Sequence, residues 1–476
     1  MSAIQLVRDL NIILPELFLA IASLFSLVLG SIFNKSEKLV GYVIVLFLIS
    51  LIYFIHLNQD IMEGIAFNNS YFNNGFLLFL KSAILGGLVV IILGYLSVSK
   101  KVSMDFIFLA LFAIIGSMLA ISSKNLLMLF LGLELQSLPS YIMAGFLRDK
   151  LKSSEAGLKY FVLGAVSSSI LLFGASLVYG FTGHISYEAI HESLSASSNI
   201  AVIVGISMIL VSMFFKMSAA PFHIWSPDVY EGAPMVSVSI FSSIHKIAIA
   251  AIFVIFLSKV LGELSISFIW IFKMLAILSL MIGAFGGLMQ KSLKRLMAYS
   301  AILNAGYVLL AVISDISLEM FRSIFLAYII IYSVGIIAFF TILNNIFQEK
   351  SDDLLIKDLA GLSINNKLYS LALVLILSSM IGLPPLAGFF AKYYVLYNLV
   401  NIQEYALAII AIISSVVAAF YYLRVIKAIY FDEAKQAKGK TAKPITVLLV
   451  TFTSLFFLIC FALYFNSYFY QMKIIV

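Results

Sequence analysis

Apolar runs of around twenty residues, separated by short polar stretches, fill almost the whole chain. Each run is long enough to cross a bilayer as a helix. Fourteen spans are read, at 11–33, 39–57, 74–97, 105–122, 125–146, 157–182, 200–226, 235–257, 268–290, 293–313, 319–347, 369–400, 404–430 and 444–468. The runs are continuous rather than alternating, which predicts helices and not the strands of a membrane barrel. The expected fold is therefore an all-α polytopic membrane protein with about fourteen transmembrane helices. Pro15 and Glu16 open the first span and no small-residue cleavage site follows, so it reads as a membrane helix and not a cleaved signal.

Two spans are interrupted. In 200–226, Pro221 follows Lys216 by five residues; in 369–400, Gly382-Leu-Pro384-Pro385-Leu-Ala-Gly388 precedes Lys392. A proline inside a helix removes a backbone hydrogen bond and kinks or breaks it. Broken membrane helices are tolerated where the freed backbone is buried in protein or lines a wet cavity. Interruptions at corresponding places in two halves point to an ion path. The plainer reading of each is an ordinary kink, but each stands beside a lysine.

Composition agrees with the pattern and removes other classes. Of 476 residues, 63% are hydrophobic and 11% charged, and the mean hydropathy is +1.10. A soluble globule, a disordered chain, a coiled coil and collagen are all excluded. The single cysteine, Cys460, permits no Cys-ligated iron–sulfur cluster and no intrachain disulfide. The five histidines (His56, His184, His191, His223, His245) are scattered, and no metal site is expected. The net charge of +7 does not imply nucleic-acid binding, because the charge belongs to the loops. With both termini outside, seventeen Lys and Arg fall in inner loops against four in outer segments, which sets the expected orientation.

Nine basic residues remain inside spans. Lys159, Lys273, Arg322, Arg424 and Lys427 lie near predicted helix ends and read as side chains that snorkel to the headgroups. Lys81 stays open. Lys246 lies about 16 Å and Lys216 about 24 Å along helices rising 1.5 Å per residue. Lys392 follows the proline pair, and Glu134 stands mid-span in 125–146. Buried acids and bases at similar depth pair with one another or line a proton path; a static ion pair that fixes packing is the alternative. Burial disfavours a lysine's charged form and a nearby carboxylate favours it, so a lysine whose acid partner can approach or retreat has a switchable proton affinity. His245 reads as a packing residue. The stretches 58–73 and 182–199 lie outside and need contact nothing, while 348–367 either docks against a neighbour or lies on the surface.

The run Lys216-Met-Ser-Ala-Ala-Pro-Phe-His-Ile-Trp-Ser-Pro-Asp-Val-Tyr-Glu-Gly-Ala-Pro234 resembles the broken-helix signature of the antiporter-like subunits of respiratory complex I. Its Pro-Asp-Val-Tyr-Glu-Gly-Ala-Pro ending resembles subunit N, the counterpart of mitochondrial NADH dehydrogenase subunit 2. Leu131-Gly-Leu-Glu134-Leu-Gln-Ser-Leu, Arg295-Leu-Met-Ala-Tyr-Ser300, Gly388-Phe-Phe-Ala-Lys392 and Leu14-Pro-Glu-Leu also fit, so the resemblance covers essentially the whole chain. A lysine rather than a glutamate at 392 favours subunit N over M, and the absence of a long C-terminal extension argues against L. The resemblance implies three leading helices over 1–104 and two inverted five-helix repeats at 105–257 and 268–430. A loop and last helix would follow over 431–476, with helices 7 and 12 broken. Glu134 and Lys216 would form a coupling pair, Lys246 the connection and Lys392 the terminal lysine, with Lys159, His245 and Asn304 as secondary candidates.

Many members carry histidine where this chain has Asn304, in Ser300-Ala-Ile-Leu-Asn304-Ala-Gly-Tyr307. Asparagine holds a water but does not titrate. The implied activity is proton translocation across a bacterial inner membrane, driven by electron transfer from NADH to quinone. This chain would bind no cofactor. FMN, iron–sulfur clusters and quinone would belong to the other membrane and peripheral subunits, of which antiporter-like and small membrane subunits would be its neighbours. The competing readings are a subunit of a cation/proton antiporter or membrane-bound hydrogenase of the same fold, and a structural spacer.

Overall fold

The computed structural model describes residues 3–32, 37–98, 103–196, 199–262, 267–313, 319–347 and 353–433. The span expected at 444–468 lies outside them. Twelve helices among the described residues are long and apolar enough to cross a membrane. Their order begins with α1 (Ala3–Ile12), α2 (Leu14–Ile32), α3 (Glu37–Leu57), the short α4 (Gln59–Met62) and a hairpin of β1 (Gly64–Ala66) and β2 (Tyr71–Asn73). Then follow α5 (Gly75–Val98), α6 (Met104–Ile121), α7 (Leu126–Ala144), α8 (Leu151–Thr182) and the short α9 (Tyr187–Ala196).

The next segment contains the first interruption. α10 (Ile200–Met217) stops at Ser218, and the chain resumes helix only at α11 (Trp225–Gly232). The break is wider than a kink, because Ser218 adopts φ +61°, a left-handed conformation rare for a residue with a Cβ. The span read as one helix from 235 is likewise two pieces, α12 (Met235–Ser242) and α13 (Ile244–Phe256), with helical turns continuing to Leu261. Ser243 between them leaves helical geometry at φ −121°, ψ −75°, without a proline to announce it. That corrects the reading of 235–257 as an unbroken helix.

α14 (Ile269–Leu288), α15 (Leu293–Ile313) and α16 (Glu319–Phe347) follow. After the short α17 (Leu362–Asn365), the span expected at 369–400 is α18 (Lys367–Ile381) and α19 (Ala387–Asn401), and α20 (Tyr405–Tyr430) ends the described chain. Gly382 closes α18 at φ +95°, a conformation that glycine adopts without steric cost.

α12–α13, α15 and Leu326–Phe347 of α16 are almost wholly buried, whereas α2, α3, α8, α14 and α20 turn apolar faces outward. Small residues bring the helices close, as in membrane bundles generally. A Cβ on Gly116 of α6 would run into the Gln136 backbone of α7, and one on Gly283 of α14 into the Leu303 backbone of α15.

The segments 58–73 and 182–199 are not idle, contrary to expectation. Phe72 N donates to Ser122 O (2.9 Å), Lys124 N to Ser70 O (3.0 Å), and Leu126 N to Ile185 O (3.0 Å). The hairpin and the α8–α9 turn are thereby sewn onto the corner joining α6 to α7. Beneath that corner, Lys81 lies 2.7 Å from Glu16 Oε1, with both side chains buried. Lys81 also donates to the Tyr71 hydroxyl (2.7 Å) and to Asn73 Oδ1 (2.5 Å). This buried ion pair settles the open reading of Lys81 and gives Glu16 a partner that its place at a helix start did not disclose.

Candidate functional site

Glu134 and Ser137 are three residues apart on α7 and share a face. Glu134 Oε1 accepts from the Ser168 hydroxyl of α8, and Lys216 donates to the Ser137 hydroxyl at 2.6 Å. The acid and the lysine therefore bond to two different serines and make no direct ion pair among the described residues. Both are half-buried, and Leu131 and Leu138 beside Glu134 are exposed. The pair faces the flank of this chain and not its centre.

Lys246 is central and buried. Its ammonium donates to Met217 O (2.5 Å), Ser218 Oγ (2.8 Å) and Lys216 O (3.3 Å). A helix leaves its last carbonyls without intrahelical donors. Here the broken end of α10 offers them to a cation, which its negative dipole end favours. Lys392 repeats the arrangement at the second break, donating to Met380 O and Ile381 O (3.0 Å each) at the end of α18 and to Ser415 Oγ (2.9 Å) of α20. The prolines thus matter through the carbonyls that they release.

Asn304 is buried on α15. Its Nδ2 donates to Ser300 O (2.7 Å) and its Oδ1 accepts from the Tyr328 hydroxyl (2.5 Å). Asn304 and Lys392 line one cavity of about 20 Å³, together with Tyr328 and Tyr332 of α16. His245 is buried and stacks on Phe241 with ring centroids 5.7 Å apart. That agrees with a packing role, although neither ring nitrogen has a hydrogen-bond partner among the described residues.

Lys159 does more than reach for headgroups. It pairs with Glu155 (2.7 Å) and Asp228 (2.8 Å) in a cleft of about 130 Å³ shared with Lys152, Glu231 and Arg295. Arg295 NH1 bridges Asp228 Oδ1 (2.7 Å) and Glu231 Oε2 (2.9 Å), so the segments Pro227–Pro234 and Arg295–Ser300 meet there. Lys273 pairs with Glu404, and Arg424 donates to the carbonyls of Leu288 (2.9 Å) and Gln290 (2.6 Å). The Arg322 side chain lies outside the described residues. Lys294, counted among the loop charges, is buried and donates to Ala233 O at 2.7 Å, capping α11. Among the described residues no three His, Cys, Asp or Glu side chains converge as metal ligands would.

Sequence reasoning missed Ser137, Ser168, Tyr328 and Tyr332. The first had a signal, since it stands three residues after Glu134. The tyrosines share a face at a spacing of four on α16, but nothing local aims them at Asn304.

Residues 123–418 match the family model described as NADH:quinone oxidoreductase/Mrp antiporter, TM. The NADH-quinone oxidoreductase subunit N of Pelagibacter ubique is 41% identical over 435 residues, covering 90% of this chain and 91% of that one. The subunit N of Rickettsia typhi is 40% identical over 459 residues, covering 94% and 98%. The chain belongs to the subunit N family of NADH-quinone oxidoreductase. It is thus an antiporter-like subunit of the membrane arm of complex I, an enzyme complex. A chain in the structure of respiratory complex I from Thermus thermophilus with bound aureothin superposes with a TM-score of 0.81 at 27% identity, covering 96% of this chain and 98% of that one. A chain of the Mrp complex from Dietzia superposes with a TM-score of 0.80 at 16% identity, which shows a shared fold alone.

Proposed function

We propose that this chain moves protons across the membrane through Glu134, Lys216, Lys246 and Lys392, driven by electron transfer in partner subunits. The supporting observation is the position of the Lys246 ammonium against the main chain of Lys216, Met217 and Ser218. Two lysines at one helix break make each other's charge state matter, because like charges in a low-dielectric setting disfavour double protonation. A proton arriving at Lys216 from the Glu134 side therefore pushes the Lys246 proton onward, toward Lys392. Ser137 and Ser168 are the switch contacts of the first step. A rotation that exchanges Ser137 for Glu134 as the partner of Lys216 would stabilise its charged form.

In this reading 105–257 and 268–430 act as inverted half-channels behind the leading helices of 1–104, and 431–476 closes the chain. The hairpin end and both termini face the outer side of a bacterial inner membrane, as the loop charges favour. FMN, iron–sulfur clusters and quinone belong to partner subunits, among them neighbouring antiporter-like and small membrane subunits.

The test is NADH-driven proton uptake by membrane vesicles carrying the whole complex with Glu134→Ala or Lys216→Met. Each variant should lose most pumping while the complex assembles; unchanged pumping in both sinks the relay. The likeness of fold to an antiporter complex keeps one competitor. Recovery of tagged protein from native membranes with antiporter or hydrogenase components, and without NADH-oxidising subunits, would favour it.

A further inference from the structure

Among the described residues no hydrogen bond bridges the stretch from Lys246 to Lys392. Asn304 does not fill it as a proton carrier, since an amide does not titrate. Its own hydrogen bonds are turned to Ser300 and Tyr328. Two other side chains are candidates. The hydroxyls of Tyr230 and Tyr332 are both buried and have no hydrogen-bond partner among the described residues. Buried polar groups are ordinarily satisfied, so two such hydroxyls call for an explanation.

Their placement supplies one. Tyr230 is on α11, where its ring packs edge-on against Trp225 at 6.2 Å. The Lys246 ammonium lies over the same Trp225 ring, 5.9 Å from its centre. Tyr230 and Tyr332 are close enough to interact electrostatically, and Tyr332 has Ser300 and Asn304 beside it. Tyr332 then lines the cavity that contains Lys392. Its neighbour Ser333 donates to Ser243 O at 3.2 Å, the break just before Lys246. α16 thus touches the break before Lys246 with Ser333 and the Lys392 cavity with the residue before it. The cavity of about 20 Å³ has room for one water.

We propose that the Tyr230 and Tyr332 hydroxyls, with a water in the Lys392 cavity, carry the proton from Lys246 to Lys392 in this chain, in place of a titratable residue at position 304. The inference rests on the relay reading above. A hydroxyl serves without becoming an anion. Its oxygen accepts one proton, its own hydrogen passes to the next oxygen or to the lysine amine, and the hydroxyl is restored. Asn304 and Tyr328 are positioning residues, which hold the cavity wall by their mutual hydrogen bond.

The experiment uses the complete complex in membrane vesicles and reads proton pumping together with assembly. Tyr332→Phe removes one oxygen from an otherwise unchanged ring, and should lower pumping about tenfold, a modest loss for a proton-transfer group. The double variant Tyr332→Phe/Asn304→His should regain most of that loss, because an imidazole then stands in the same cavity. Packing damage would not be repaired by it. Normal pumping in Tyr332→Phe, when Lys392→Met abolishes it, overturns this inference and leaves the relay intact. A pumping loss that histidine at 304 does not repair also overturns it. Normal pumping in Lys392→Met would instead overturn the relay reading itself, and this inference with it.

Discussion

The ammonium of Lys246 lies 2.5 Å from the carbonyl of Met217, the last helical residue before the first break. A charge at this depth is tolerated because the break supplies oxygens that a continuous helix would have kept for itself. Lys246→Met should leave the Met217 carbonyl and Ser218 hydroxyl without their donor. The expected cost is about 1–3 kcal/mol of stability, with a fall of about tenfold or more in pumping. Thermal unfolding of the purified complex and vesicle pumping check the two effects separately.

Ser137, on the same face of α7 as Glu134, is the hydrogen-bond partner of Lys216. Ser137→Ala removes that hydrogen bond, a change of about 1 kcal/mol. Lys216 should then rest nearer Glu134 and release its proton less readily. Pumping should fall while assembly stays normal. Equal pumping at all driving forces would deny Ser137 a part in the switch.

The Glu16–Lys81 pair is a structural prediction, independent of the relay. Removing one partner of a buried pair costs about 3–5 kcal/mol, because the other charge is left uncompensated. Lys81→Met alone should depress the thermal stability of the subunit in its complex. Glu16→Gln added to it should recover a good part. Additive losses in this double-mutant cycle would mean that the two side chains do not interact.

Gly388 packs its Cα against the Ser379 carbonyl across the second break. Gly388→Ala, a gain of one methyl group, cannot be accommodated without moving that backbone. α18 and α19 should separate and the Lys392 cradle open. Loss of assembly, or a complex that assembles without pumping, is the expected outcome on a native gel and in vesicles.

At the hairpin end, the Lys124 ammonium beside Glu188 at 2.9 Å holds that carboxyl below its ordinary range, against the opposing effect of partial burial. A carboxylate with a depressed folded value stabilises at and above the ordinary carboxylate range, near pH 4 to 5. The gain is lost as pH falls through the lowered value. Glu188 is half exposed, so the pair contributes at most about 1 kcal/mol. Lys124→Gln should lower thermal stability slightly at pH 7, and the difference from wild type should vanish in strong acid.

The run of apolar spans, the proline breaks, Glu134 and the three deep lysines were all legible in the sequence. They are local facts: helix length against bilayer thickness, a missing N–H, a charge where hydrocarbon is expected. Partners were not legible, because each is set by helices far apart in the chain. Lys216 meets Ser137, Lys81 meets Glu16, and Tyr332 shares a cavity with Lys392 only after α2, α5, α7, α10, α16 and α19 have packed. The break at Ser243 was hidden for a related reason. No proline marks it, and its geometry is held by burial between α12, α13 and α16. Hydropathy reports where a residue sits relative to lipid, which sequence determines. What a buried polar atom faces is decided by packing, and that is where the chemistry of this chain resides.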